Sequence, residues 1–450
     1  MSASVSEPLQ GASSSGPGSP AVSLVLAGQP DVRAWQEDLY MDFHRHPELG
    51  NQEVRTASIV ANELRSCGFE VLENIGTTGV VGILKNGEGP TVLVRADMDA
   101  LPVAEETGLD YASKDTAPDD TGTEVPVSHA CGHDVHVACL LGAAKLLAAG
   151  RSAWQGTFLA LFQPAEELAD GARKMIHDGL AGLIPQPDVA LAQHVLAFPS
   201  GTLGTRTGAV LSSADSMRIT VFGRGSHGSM PQLAVDPVIL ASSIALRLQT
   251  VVSREVPPGE FAVLTIGRMA VGSKSNIISD RAVLELNIRT FDDGIRHLIL
   301  EAVKRIVAGE CAAAGSPREP EFELYDHYPL TKNDAHVTAK VAAAFKDHFG
   351  DRAITLDRQA ASEDFSDIPN AFGIPYTYWG IGGTDPQQYA EAAAAGTVSQ
   401  DIPANHSPRF APVIDPTLQT GTAAVVVAAF AWLKAPAGRD HGPDHPAGGL

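Results

Sequence analysis

Cysteine is scarce. The 450-residue chain holds four, Cys67, Cys131, Cys139 and Cys311, too few for a disulfide framework in a chain too long to need one. Reduced thiols and a cytoplasmic setting are therefore expected. Positive charge is also short: 32 Lys and Arg face 53 Asp and Glu, a formal net charge of −21, and no basic block interrupts that balance. Nucleic acid and anionic membrane are excluded as expected partners, because the mean field repels polyanions. Long apolar runs are missing too. The longest, Ala423 to Leu433, is far short of a bilayer span and reads as a buried helix. The first 30 residues are rich in Ser, Gly and Pro, and no basic region precedes their short apolar patch. Residues 1–30 are expected to be a flexible tail rather than a signal peptide, and the Gly/Pro/His-rich residues 436–450 a second tail. No internal repeat is visible.

What is present is an ordinary globular composition, 44% hydrophobic and 19% charged, in a length that fits roughly two or three domains. Apolar residues at helical spacing run through Trp35–Phe43 and Val54–Leu64, the latter stopping at Gly68 as a C-cap. Strand-like runs follow at Val80–Leu84, Thr91–Arg95, Thr157–Phe162 and Val189–Gln193, with a helix at Val135–Ala149 between them. Such alternation predicts a mostly parallel sheet covered on both faces. The order then changes. A strand at Met217–Phe222, a helix at Pro237–Val252, strands at Phe261–Arg268 and Ala282–Arg289, a helix at Ile295–Ala314 and a strand at Glu321–Tyr325 give βαββαβ, the ferredoxin-like pattern. The α/β pattern resumes with a helix near Ala335–Phe349, a strand at Tyr376–Trp379 and a helix over Thr417–Leu433. The predicted organisation is an α/β domain over 31–210 and 328–435, interrupted by a small domain at 211–327.

The densest chemistry is His129-Ala-Cys131-Gly-His133-Asp134-Val-His136. Cys131 and His133 stand two apart, so an extended backbone would point both side chains the same way. Thiolate beside imidazole is a zinc-type ligand pair; the competing reading is a histidine-rich loop around a buried cysteine. Gln163-Pro-Ala-Glu166-Glu167 follows a strand, at the end where open α/β sheets bind ligands. One such carboxylate can hold a metal while its neighbour acts as general base, although two adjacent glutamates alone are more often a solvated turn. Gln193-His194 closes another strand and Asn405-His406-Ser407-Pro408 lies in a polar loop; each is weak by itself. Arg95-Ala-Asp97-Met-Asp99-Ala-Leu-Pro102 adds carboxylates suited to holding a ligand histidine in the right tautomer, or to capping a turn. The weight comes from all of these falling at strand ends or loops of one α/β domain.

Together with His44-Arg-His46-Pro-Glu48-Leu-Gly, Gly225-Ser-His227-Gly and Ser362-Glu-Asp-Phe365, these segments resemble, in order, the M20 metallopeptidase family and its amidohydrolase branch of hippurate hydrolases, bacterial aminoacylases and auxin-conjugate hydrolases. The resemblance covers nearly the whole chain between the two tails. It implies hydrolysis of N-acyl amino acids, with dipeptides or N-carbamoyl amino acids as the alternative substrates. It implies metal ligands at Cys131, His133, Glu167, His194 and His406, with Cys131 bridging two divalent ions. Their softness favours zinc, with manganese or cobalt also used in the family. Glu166 would be general base and then acid, and Asp99 would support a ligand histidine, a role Asp97 can share. The small domain resembles the family's lid and dimerisation domain, implying a homodimer. His227 would stabilise an oxyanion, from the same chain or across the dimer, and Asn276 and Arg289 would hold the substrate carboxylate. Arg289 also reads as an ordinary strand ion pair, and Asn276 as a turn residue. Gln232, where a histidine is common, and Ile277-Ile278-Ser279 after Asn276 depart from the family pattern and bear on lid packing or substrate fit. A non-catalytic homologue that binds a small acid would be expected to have lost the base or a ligand; Glu166 and all the ligand positions are intact.

Overall fold

The computed structural model describes residues 19–434. Its larger unit is built on an eight-stranded sheet ordered Glu70–Ile75, Gly79–Asn86, Gly156–Gln163, Thr91–Asp97, Val189–Pro199, Tyr376–Thr384, Leu203–Thr205 and Ala353–Thr355. The four central strands, from Gly156–Gln163 to Tyr376–Thr384, run parallel; the first two strands and the Leu203–Thr205 pairing add antiparallel edges. Both faces are covered, which is why these strands read as near-continuous apolar runs. Along Thr91–Asp97, Val92, Val94 and Ala96 enter one core while Leu93 enters the other. The helix His133–Ala149 is apolar nearly all round and packs against helices Gln29–Arg45 and Ile414–Phe430 and the strand Thr91–Asp97.

A second unit has its own core, between helices Pro237–Arg254 and Asp293–Ala314 and a four-stranded antiparallel sheet ordered Ala262–Val271, Arg281–Thr290, Ser213–Phe222 and Glu321–Tyr328. The chain order is βαββαβ. Asp236 and Asp292 cap the two helices through the backbone amides of Val238 and Ile295. Outside this sheet, Ser226–His227 pairs with Ile277–Ile278 in a short ribbon.

Two expectations need correction. Residues 19–30 are not a tail: helix Pro20–Leu26 leads into Gln29–Arg45. Val22 and Val25, three apart, lie on one helical face and are buried in the main core, while Pro20 suits the first turn. The Ser/Gly/Pro bias of the preceding stretch hid that pattern. Residues 1–18 and 435–450 lie outside the described residues. Nor is Cys131–His133 extended: Gly132 sits at φ +87°, and His133 opens the helix His133–Ala149. No helix among the described residues is long and apolar enough to cross a membrane.

The smaller unit carries one buried charge cluster. Asp215 accepts two 2.6 Å bonds from Arg296 and one of 3.0 Å from His327. Burial alone would raise its carboxyl; the His327 and Arg296 bonds outweigh it and hold the pKa below the ordinary carboxylate value. The resulting stability is complete above the unfolded-chain pKa and fades as pH falls through the folded one. Asp215→Asn should cost about 2 kcal/mol at neutral pH, seen as a lower Tm. The gap from wild type should narrow as pH falls below the ordinary aspartate value of about 3.9; a gap that stays equally wide at acid pH contradicts the pairing.

Candidate metal centre

Parallel strands deliver side chains to a common edge, and here that edge is acidic. Asp97 ends the strand Thr91–Asp97, opposite Gln163 of its neighbour. The tight turn after Gln163 presents Glu166 and Glu167, with Ala165 and Ala169 both at positive φ, 49° and 52°. His194 lies in the next strand, level with Gly380. Cys131 and His133 enter at the start of the helix His133–Ala149. His406, itself at φ +70°, is tied in by its backbone N–H to Ala130 O, while Asn405 donates to Cys131 O and Val195 O at 3.0 Å each.

Two groups of three share one atom. The ligand atoms of Cys131, His133 and His194 lie within 4.8 Å of one another, and so do those of Cys131, Glu167 and His406. Cys131 belongs to both. Its Sγ is 3.5 Å from His194 Nε2, and His406 Nε2 is 3.3 Å from Glu167 Oε1. Cys131, Glu167, His194 and His406 line one cavity of about 430 Å³ with Glu166, Arg289, Tyr328 and Ser362, and His133 lies buried behind its lining.

The outer hydrogen bonds set the tautomers. His133 Nδ1–H points to Asp99 Oδ1 at 3.2 Å and His194 Nδ1–H to Val195 O at 2.8 Å, so each leaves an Nε2 lone pair facing the cluster. Asp99 also accepts the Glu167 N–H at 2.9 Å, tying His133 to the Glu166–Glu167 turn. His136 accepts the Val195 N–H on Nε2 and must therefore donate from Nδ1 to Asp97. The second aspartate thus supports a different histidine from the one Asp99 holds.

The donor set fits cations. His133 Nε2 is buried without a hydrogen-bond partner, a costly state for a neutral imidazole unless something electrophilic faces it. Burial, then Glu167 and Glu166, push the Cys131 thiol well above its usual range, and a nearby cation is what would hold it as thiolate. Burial, then Glu363 and Glu167, likewise raise the Glu166 carboxyl. Among the described residues, Arg95 alone offers a buried guanidinium to the surrounding carboxylates: it bonds Asp97 at 2.6 Å and Glu363 at 2.8 Å and reaches Asp364 at 3.4 Å.

Not every expected residue arrives. Arg289 lines the cavity, but His227 and Asn276 do not. Both lie at the exposed ribbon, where His227 pairs with Ile277 and Gly228 N–H donates to Asn276 O at 2.8 Å. Several structural partners had no assigned role beforehand: Arg95, His136, Glu363 and Asp364 as the buried clamp, Tyr378 donating to Glu363 at 3.0 Å, and Tyr328 donating to Glu166 O at 3.2 Å. The adjacent acids Glu363-Asp364 beside an invisible partner were the available signal; nothing local marked the tyrosines.

Residues 93–402 match the peptidase family M20/M25/M40. The chain is 38% identical to a hippurate hydrolase of Campylobacter jejuni over 341 residues, 74% of this chain and 85% of that one. It is 35% identical to an N-acetylcysteine deacetylase of Bacillus subtilis over 355 residues, 76% and 87% of the two chains. A dinuclear metal-binding peptidase from the M20 family of Bacillus subtilis superposes with a TM-score of 0.71 at 28% identity, covering 89% of this chain and 98% of that structure.

Gly132 is a tight steric point beneath the cluster. A Cβ there would stand 2.4 Å from Val195 Cγ1 on a backbone at φ +87°. Gly132→Ala should cost about 2 kcal/mol or more and lower bound metal, measured by thermal melting and elemental analysis. Wild-type values on both would mean that the Cys131–His133 turn is not constrained in this way.

Proposed function

The chain belongs to the peptidase family M20/M25/M40 and is a hydrolase of amide bonds, and from that premise we propose that it cleaves N-acyl amino acids to a carboxylic acid and a free amino acid. One observation carries this reading: the cavity that gathers Cys131, Glu166, Glu167, His194 and His406 also contains Arg289, an arginine with no carboxylate partner among the described residues. Its Nε donates to Asn287 and its Nη1 to Ala360 O and Ser362 Oγ, leaving Nη2 for a ligand. A fixed guanidinium is suited to a planar carboxylate. The apolar wall of Leu196, Leu211 and Leu356 suits the remainder of such a substrate. Asn276 would join in carboxylate recognition only by way of a second chain.

Cys131, His133, Glu167, His194 and His406 would hold two divalent cations, zinc by donor softness, with manganese or cobalt able to substitute. Such ions polarise the scissile carbonyl and acidify water. Glu166 takes the proton of the attacking water on its carboxylate and delivers it to the departing nitrogen. Asp99 keeps His133 oriented. His227 of the partner subunit would donate to the developing oxyanion. In its own chain His227 faces solvent beside a groove formed with Ile277 and Ile278; Val238 and Ile277 share the adjoining groove, and Ile239 and Leu246 stand exposed on the same helix as Val238. A homodimer formed through this face fits that pattern. The unpaired cysteines fit the cytoplasm.

Glu166→Gln should abolish nearly all turnover of N-benzoylglycine and N-acetylcysteine while metal content stays at the wild-type value. A variant retaining a tenth or more of the activity would misplace the base. Arg289→Met should raise KM about 30-fold, the loss of one charge-assisted pair, and should leave substrates amidated at the carboxylate unaffected. An equal KM change for both substrate forms would remove Arg289 from carboxylate binding.

A further inference from the structure

Glu53 stands at the N-cap position of the helix Val54–Ser66, yet it does not cap it. Glu48 does, accepting from the backbone amides of Arg55 at 2.9 Å and Thr56 at 2.8 Å. The Glu53 carboxylate, completely buried, is free to reach elsewhere. One oxygen accepts the Thr78 hydroxyl at 2.6 Å; the other accepts the backbone N–H of Ala165 at 2.8 Å, immediately before Glu166.

Burying a carboxylate without a cation is costly, and burial together with Asp99 pushes this one up to about 7. What it holds is an unusual piece of chain. Ala165 and Ala169 bracket the Glu166–Leu168 turn, both in the left-handed region that alanine seldom adopts. Gly171 faces Pro164 O so closely that a Cβ would stand 1.6 Å from it. On the other side of Glu166, Asp99 accepts the Glu167 N–H. The amides of Ala165 and Glu167, on either side of Glu166, are thus each gripped by a carboxylate, and neither Glu53 nor Asp99 lines the cavity.

We propose that Glu53 is a positioning residue for the hydrolysis, fixing the aim of Glu166 by gripping the Ala165 N–H across the turn. This role rests on the reading of Glu166 as the proton carrier. The side chain never meets substrate; it acts through the backbone of the strained turn.

The test is steady-state kinetics on the full chain loaded with zinc, using N-benzoylglycine and N-acetylcysteine, with metal content measured on the same samples. Glu53→Ala and Glu53→Asp should lower kcat roughly 10- to 100-fold, with KM within about threefold of wild type, the size expected for loss of an orienting partner. Metal content should not change. Glu53→Gln should recover most of kcat, because its amide oxygen can accept the Ala165 N–H while its NH2 donates to Thr78. Should Glu53→Ala fail to fold, the Glu53→Asp and Glu53→Gln pair decides, since the first shortens the reach and the second preserves it. An unchanged kcat in Glu53→Asp, a loss that follows metal content or KM, or a Glu53→Gln as slow as Glu53→Asp overturns the proposal. Glu166→Gln measured alongside separates the two readings. If it turns over freely, the base assignment fails; if it is inactive while Glu53→Asp is normal, only the positioning role fails.

Discussion

Buried negative charge is the constraint around which this structure is organised. Asp97, Asp99, Glu166, Glu167, Glu363 and Asp364 crowd the carboxyl edge of four parallel strands, and Arg95 is the one buried guanidinium among them. Carboxylates in a low-dielectric interior repel each other and resist ionisation. Arg95 satisfies Asp97 and Glu363, and His133 and His136 take part of the remainder. A thiol and the Glu166–Glu167 pair are left facing a shared cavity, with the orphaned His133 nitrogen buried within 4.0 Å of both glutamates. Divalent cations would resolve that imbalance, and the residues left over have the donor chemistry suited to them.

Around this centre the protein spends little on the ligands and much on their supports. Asp99 ties His133 to the Glu167 amide, His136 ties Asp97 to the Val195 amide, and Asn405 ties the Cys131 and Val195 carbonyls to the loop that carries His406. Each bond joins two segments distant in sequence. The ligand geometry is therefore a property of the sheet edge as a whole, and a change at any one support is expected to be felt by several ligands together.

Much of this was legible beforehand, for identifiable reasons. The central strands announced themselves because a sheet covered on both faces is apolar throughout, and the ferredoxin-like unit because its strand and helix periods alternate cleanly. Cys131, His133 and the Glu166–Glu167 pair stood out because soft ligands and adjacent acids are rare in so short a span. What stayed hidden depends on distance. That Asp97 serves His136 while Asp99 serves His133 follows from helix phase, which spacing alone does not give. The helix Pro20–Leu26 was masked by the composition of its neighbours, and the extended reading of Cys131–His133 missed that Gly132 turns left-handed into a helix. His227 and Asn276 carry the family pattern yet stand away from the cavity of their own chain, a matter no single-chain sequence reading decides.

The central claim is that one sulfur serves two ions. X-ray absorption at the zinc edge of the zinc-loaded protein addresses it directly. The account predicts a zinc–sulfur shell at about 2.3 Å, with close to one sulfur per zinc although each chain offers a single cysteine to the pair, and a metal–metal distance of about 3.5–4 Å. A first shell of nitrogen and oxygen alone, or a sulfur shell that survives in Cys131→Ala, would contradict it.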